Sequence, residues 1–391
     1  MKTVGIICEY NPFHAGHAHL LQCVGEADAV ICLMSGSFVQ RGEAAILPPR
    51  YRAEMALRMG ADLVLELPFP YAASSARYFA TAGVRALSAL GADTLAFGSE
   101  SADKAALLRA AEHTLAPEFE EKVANVAKNT GSASAYFAAL GKDRIGANDI
   151  LALEYTRAIL DEGARMEILP VLRVGEGFHS TDDRAEYPSA TALRAVLARG
   201  EGIVDKLPAA VQEIWQRALD AGHAPADVAA LGAAMLARLR IAGESAATSG
   251  EIAFEDIAEC EGGLGAHLVH AAAAATDYHS LCRAAATKKY TDARIRRALL
   301  YILADVTRAD LAAPPAYLRL LGANERGRAF LAESRKTRTV PVVTKQADIV
   351  ALGDSAARQR ALAGIAEGLF ALCTPRPVLP RTFATEPPYF A

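Results

Sequence analysis

The sequence predicts an α/β protein: a doubly wound parallel sheet over residues 1–204, then a mostly helical part over 205–391 that ends in a proline-rich tail. Three observations lead there. Short apolar runs rich in β-branched residues alternate with helical patterns through the first 200 residues. Such runs suit central parallel strands covered by helices on both faces, and their alternation with helices implies right-handed βαβ units. From about Asp205 the texture changes to Ala, Leu, Arg and Glu at helical spacing. Finally, 391 residues exceed one average core, so two domains, 1–204 and 205–391, are expected.

The elements follow in order. Thr3–Cys8 (TVGIIC) is the first strand, a helical pattern runs from Gly16 to Val24, and Asp28–Met34 is the second strand. Pro49 opens a helix that closes on Gly60, the expected proline-first, glycine-last asymmetry. Then come a strand at Asp62–Leu67, a helix from about Ser74 to Leu90 and a strand at Asp93–Phe97. A helix at Asn148–Leu160, a strand at Met166–Val171 and a helix at Ser189–Leu197 complete the first part. Beyond Asp205 no convincing strand is expected before the tail, CTPRPVLPRTFATEPPYFA, which either packs as extended chain or is disordered.

A hydrophobic fraction of 52% with 22% charged residues fits a soluble globular protein and argues against disorder. The net charge of −4 hides a basic stretch: Arg283 to Lys345 holds 14 Lys plus Arg against 5 Asp plus Glu, a place for a polyanion to dock. The six cysteines form no CxxC pair, which predicts buried free thiols in a reducing compartment. The N-terminal apolar run is too short for a signal peptide, and no stretch reaches the roughly 18 uncharged apolar residues of a membrane span. A cytoplasmic protein with no membrane partner is expected.

The chemistry concentrates where the first strand meets the first helix. Glu9-Tyr10-Asn11-Pro12-Phe13 is a turn, and His14 and His17 bracket Ala15 and Gly16 at the helix start. A helix N-terminus offers unpaired amide donors and partial positive charge, a natural phosphate site. Two imidazoles three residues apart face the same way there. Gly16 lets a nucleotide approach the backbone. A histidine facing a solvent-filled cleft is expected to contribute little to the core. Neither a Walker loop nor a GxGxxG fingerprint occurs.

This HxGH spelling after strand one resembles the HIGH-type nucleotidylyltransferase superfamily, whose fold is Rossmann-like. More of the chain resembles one branch of it. GIICEYNPFHAGHAHL, MSGSFVQRGEAA (Met34–Ala45), ADLVLELPFPYA (Ala61–Ala72), FGSE (Phe97–Glu100), NDILALEY (Asn148–Tyr155) and the basic TKKYTDARIRRALLYIL (Thr287–Leu303) look like the tRNA(Met) cytidine acetate ligase family. The resemblance implies activation of acetate with ATP as acetyl-adenylate. Transfer to the wobble cytidine of elongator tRNA(Met) then gives N4-acetylcytidine. His14 and His17 would be catalytic, stabilising charge on the triphosphate. ATP contacts would fall on Ile7, Cys8, Glu9, Tyr10, Asn11, Pro12, Phe13, His14, Gly16, His17 and Leu20, and on Gly98, Asn148 and Arg173.

Each of the outlying positions also has a plainer reading. Gly98 could be an ordinary turn glycine, Asn148 an N-cap, and Arg173 a surface ion-pair partner. Pro188–Arg194 (PSATALR) is similar to the second superfamily signature, with Ser189, Thr191 and Arg194 placed to grip phosphate, but it lacks the usual double serine. An N-cap followed by an exposed arginine is the alternative. Arg41 and the set Lys288, Lys289, Arg294, Arg296 and Arg297 carry charge that tRNA phosphates would attract, or else form a solvated helix face. Magnesium is expected to be held through the ATP phosphates rather than by protein ligands. No metal ligand set is expected, since His113, His267 and His270 have no partner at ligand spacing. The alternative functions are a small-molecule nucleotidylyltransferase and a non-catalytic tRNA-binding protein.

Overall fold

The computed structural model describes residues 1–127, 136, 139–140, 146–174, 188–249, 254–383 and 385–391. Among the described residues ten strands form in chain order: β1 (Thr3–Cys8), β2 (Ala29–Ser35), β3 (Phe38–Val39), β4 (Glu43–Ala44), β5 (Leu63–Leu67), β6 (Thr94–Ser99), β7 (Glu167–Leu172), β8 (Leu318–Ala323), β9 (Val342–Val343) and β10 (Tyr389–Phe390). The main sheet has the order β10-β8-β5-β2-β1-β6-β7, with β9 beside β8, while β3 and β4 pair as a separate antiparallel hairpin. From β5 to β7 all pairing is parallel. The first three helices are α1 (Ala15–Cys23), α2 (Pro49–Arg58) and α3 (Ala76–Leu90). No helix among the described residues is long and apolar enough to cross a membrane.

The continuous apolar runs are explained by burial on both sides. Ile31 and Leu33 of β2 and Leu63 and Leu65 of β5 join one core, while Val30, Cys32 and Met34 of β2 and Val64 of β5 join the other. Successive side chains point to opposite faces, so a strand between two helix layers is apolar at most positions, Glu66 of β5 being held in an ion pair. Strand order runs outward from β1 through β2 to β5 on one side, and through β6 to β7 on the other. The reversal between β1 and β6 is a topological switch point, where the carboxyl ends of adjacent strands diverge and leave a crevice for a ligand.

One expectation is corrected. β8 lies in the part expected to hold no strand before the tail, and it pairs antiparallel with β5. Its Arg319 disguises it. The guanidinium is drawn inside by Glu66, at 2.6 Å, and by Glu367, at 2.8 Å, so a charged residue occupies a covered position. The tail is packed: Phe383 is buried and β10 pairs with β8. The long helices beyond residue 205, including Gly232–Ser249, Asp292–Ala304 and Asp354–Cys373, share a core with β2 and β5 through Leu239, Leu299, Tyr301 and Phe370.

The strand ends that form the crevice are tied together by Arg52 on α2, which is fully buried. It donates to the carbonyls of Leu47 (2.9 Å), Glu9 (2.7 Å), Ser35 (2.8 Å) and Gly36. Glu9 follows β1, Ser35 ends β2 and Gly36 follows it, so one guanidinium fixes both exits. Burial pulls its pKa down to about 10, still far above neutrality. Arg52→Met should therefore leave four carbonyls without donors and lower unfolding stability by at least about 3 kcal/mol, as measured by chemical denaturation. A loss below about 0.5 kcal/mol would show that the strand ends do not need the clamp.

Candidate active site

The first turn of the site is held by aromatics. Tyr10, with φ of 49°, and Phe13 are buried with ring centroids 4.8 Å apart, and the Tyr10 hydroxyl lies 3.3 Å from Cys32 Sγ. The His17 ring sits edge-on to Tyr10 at 4.9 Å and 5.5 Å from Phe13, and His14 stacks on it at 3.8 Å. The two histidines thus face together on an aromatic floor. Ile7 and Cys8 send their side chains into opposite cores, so only their backbone can border a ligand.

His14 is the N-cap of α1. Its Nδ1 accepts from the Gly16 amide at 3.0 Å, and His17 Nδ1 accepts from the His14 amide at 3.2 Å. This is a capping box made of two imidazoles in place of the usual hydroxyl and carboxylate. With both Nδ1 atoms acting as acceptors, the proton of each neutral ring stands on Nε2. Burial and the Arg173 and Arg194 charges lower the His14 pKa to about 3; burial, then His14 and Arg173, hold His17 well below its ordinary value. At neutral pH both rings are uncharged Nε2–H donors.

Two expectations change. The amides of His14 and Gly16 are not available to phosphate, because the rings take them and re-present a donor at Nε2. Nor is His14 a solvated side chain: only 4% of it is exposed, and it closes the helix.

Across the switch point, β6 ends in Gly98 and Ser99, followed by Glu100. The helix Ala147–Asp161 starts beside it. Asn148 is not its N-cap, which is Gly146; Asn148 Nδ2 donates to Glu100 Oε1 at 2.6 Å, and its Oδ1 accepts from Arg173 Nη1 at 3.2 Å. Asp149 Oδ1 accepts from the Ser99 hydroxyl (2.5 Å) and the Glu100 amide (2.9 Å). Gly16, Leu20, Gly98, Asn148 and Arg173 line one cleft, together with His19. Glu100 and Asp149 were not among the predicted site residues; both lie inside the FGSE and NDILALEY motifs, which was the available signal.

Ser189 caps the helix Ala190–Ala198, accepting from the Ala192 amide at 3.1 Å, so its hydroxyl has the cap role. Arg194, on the same helix, donates to the Asn11 carbonyl at 2.9 Å and lies 3.5 Å from the Thr191 hydroxyl, which brings its charge onto the motif turn. Asn11 Oδ1 in turn accepts from the Ile46 amide at 2.8 Å.

The β3–β4 hairpin links this turn to the basic segment. Glu9 Oε1 accepts from the Gln40 amide at 2.8 Å, and Arg296 Nε donates to the Arg41 carbonyl at 3.3 Å. Glu43 lies 3.8 Å from Arg194 and 3.6 Å from Arg296. Gly42 abuts the helix Asp292–Ala304 so closely that a Cβ would stand 2.6 Å from the Arg297 amide. Of the five basic residues, Lys288 and Lys289 are exposed, Lys289 reaching the Gly262 carbonyl at 2.7 Å. Arg294 is half-buried, donating to the Glu259 and Glu261 carbonyls. Arg297 departs from the exposed basic face expected: it is buried and paired with Glu259 at 2.7 Å.

A switch-point cleft with paired histidines at a helix start defines a nucleotidyl-transferring class, and a family model described as HIGH Nucleotidyl Transferase matches residues 1–373. Within that class the relatives are specific. A tRNA(Met) cytidine acetate ligase of Syntrophotalea carbinolica is 40% identical over 370 residues, spanning 88% of this chain and 85% of that one. Another, from Leuconostoc mesenteroides, is 35% identical over 357 residues, spanning 88% and 89%. The crystal structure of apo Thermotoga maritima TmcAL is similar over 100% of both chains, with a TM-score of 0.91 at 30% identity. A second crystal structure of that protein, bound with alpha-thio ATP, gives 0.87 at 29%, again over 100% of both. The chain belongs to the tRNA(Met) cytidine acetate ligase family.

The imidazole cap has a pH signature. The unfolded chain takes up a proton on His14 near pH 6.5, and the folded chain refuses it down to about pH 3. Stability should therefore fall as pH drops through that window. His14→Ala should cost about 1 kcal/mol at pH 7, as a lost cap does, yet lose less than the wild type between pH 6.5 and 4. Denaturant unfolding at pH 7, 5.5 and 4.5 reads both. Parallel pH slopes in the two proteins would separate His14 from the acid response.

Proposed function

We propose that the chain activates acetate with ATP and passes the acetyl group to the wobble cytidine of elongator tRNA(Met), using His14 and His17 as neutral hydrogen-bond donors. As a family member it works as an ATP-dependent ligase that acetylates tRNA(Met) cytidine. The observation that carries the mechanism is the occupation of both Nδ1 atoms by backbone amides.

In the first step an acetate oxygen attacks the α-phosphorus, the bond from that phosphorus to the bridging oxygen breaks, and diphosphate leaves. Negative charge builds on the departing oxygens, where the two Nε2–H groups strengthen their bonds without a proton changing owner. Arg173 and Arg194 supply the positive charge that the neutral rings lack. In the second step the exocyclic amine of cytidine attacks the acetyl carbon, the bond to AMP breaks, and the amine loses a proton. A base in an anticodon loop leaves its stack more readily than one in a duplex, which suits the reaction to that site.

Magnesium fits this site only through the phosphates. Both Glu100 oxygens and Asp149 Oδ1 are engaged by amides and side chains, and no three His, Cys, Asp or Glu side chains among the described residues group as ligands. When bound it would offset triphosphate charge. For the tRNA, the exposed Lys288 and Lys289 with Arg296 are the proposed phosphate contacts, Arg296 lying against the hairpin that touches Glu9. This arrangement disfavours a small-molecule nucleotidylyltransferase, which would leave the basic segment without a task. The intact histidine pair disfavours a binding protein without catalysis.

The enzyme with ATP, magnesium and acetate should exchange labelled diphosphate into ATP without tRNA. His14→Ala and His17→Ala should each slow that exchange roughly 100- to 1000-fold while tRNA affinity holds. Normal exchange per folded molecule in both variants would remove the histidines from the chemistry, and acetylation from acetyl-coenzyme A without ATP would overturn the ligase reading.

A further inference from the structure

The helix Ala147–Asp161 begins without a cap of its own, since Gly146 has no side chain to offer. The carboxylate of Glu100, from the end of β6, takes that place. Its Oε1 accepts from the Asn148 amide at 3.2 Å and from Asn148 Nδ2 at 2.6 Å, and its Oε2 accepts from the Asp149 amide at 2.7 Å. A Cβ on Gly146 would stand 2.5 Å from the Glu100 carboxyl carbon and 2.7 and 2.9 Å from its oxygens. Glycine at the cap position is what leaves room for a carboxylate from another segment.

This contact settles which way Asn148 points. With its Nδ2 committed to Glu100, the amide can turn only its oxygen toward Arg173, which it does at 3.2 Å. The stem of Arg173 lies over Gly98, where an added Cβ would be 3.2 Å from its Cγ. Asp149 closes the loop by accepting from the Ser99 hydroxyl and the Glu100 amide, so the backbone that carries Glu100 is itself fixed. Without Glu100 the Asn148 amide could turn its NH2 to the guanidinium, donor against donor, and Arg173 would lose the hydrogen bond from its Nη1 to Asn148 Oδ1.

We propose that Glu100 is a positioning residue for the nucleotide, acting through Asn148 and Arg173 and not by touching ATP itself. The proposal rests on the reading of this cleft as the ATP site. It deepens that reading by naming what orients the cleft's arginine. Both carboxylate oxygens are already engaged, and a bare carboxylate facing the triphosphate would repel it.

The test is diphosphate exchange with KM for ATP, kcat and thermal melting measured together. Glu100→Ala should raise KM for ATP about tenfold or more with kcat within about threefold of wild type. Glu100→Gln, which keeps an acceptor for Asn148 Nδ2, should recover most of that affinity. Glu100→Asp, which keeps the charge but falls short by a methylene, should not, and this variant carries the test if the alanine variant does not fold. Gly146→Ala should displace the carboxylate and behave like Glu100→Ala. In an Asn148→Ala background the Glu100 substitution should change KM less than about twofold, because the route it acts through is already gone. A lowered melting temperature with normal KM, or effects of Glu100 and Asn148 that multiply, would overturn the proposal. So would a normal Glu100→Asp beside an impaired Glu100→Gln, since only charge would then matter. Wild-type enzyme that exchanges no diphosphate would instead refute the ATP reading.

Discussion

The site depends on a single exchange of hydrogen bonds: two imidazoles take the first free amides of a helix and hand back donors of their own. A helix N-terminus already attracts anions, but its amides point along a fixed axis and lie at the depth of the backbone. A ring that accepts at Nδ1 and donates at Nε2 carries the same polarity outward by the width of an imidazole. Chained hydrogen bonds of this kind polarise one another, so the amide strengthens the Nε2 donor. The geometry also sets the tautomer, and a ring locked as an acceptor at Nδ1 resists a second proton. The two rings stack at 3.8 Å, a distance at which two imidazolium charges would repel strongly. Neutral donors beside charged arginines is the arrangement this packing permits.

The rest of the molecule keeps that pair in register. Arg52 fixes the exits of β1 and β2, from which the motif turn springs. Tyr10 and Phe13 form the floor beneath the rings. On the far side of the switch point, Glu100 and Asp149 tie the end of β6 to the helix Ala147–Asp161 and hold Asn148 and Arg173. The hairpin of β3 and β4 then connects the motif turn, through Glu9 and Glu43, to the helix that carries the basic residues. The proposed nucleotide and RNA elements meet over a few side chains, which suits a reaction whose second substrate must arrive where the first was activated.

Much of this was legible in the sequence, for identifiable reasons. The five parallel strands announced themselves because strands covered by helices are built mostly of apolar residues, and the motif after β1 lay where a ligand crevice must open. β8 was hidden because its Arg319 breaks the apolar run, and only the pairing with Glu66 and Glu367 makes that position tolerable. Asn148 read equally as a ligand contact and as a cap, because asparagine favours the cap role; the carboxylate that caps the helix comes from 48 residues earlier in the chain, which local pattern cannot reveal. Arg297 lay in a basic run, and a run of charges does not tell which member turns inward to an ion pair. The amides consumed by His14 and His17 were equally invisible, since spacing places the rings on one face but does not assign their hydrogen bonds.

The most direct test of the central claim is the protonation and tautomeric state of the two rings, read from imidazole nitrogen-15 and proton correlations in the folded protein with His14→Gln and His17→Gln for assignment. The account predicts that both rings are neutral with the proton on Nε2, and that neither titrates between pH 8 and 5. A ring that gains a proton with a midpoint near 6.5, or one that carries its proton on Nδ1, would contradict it.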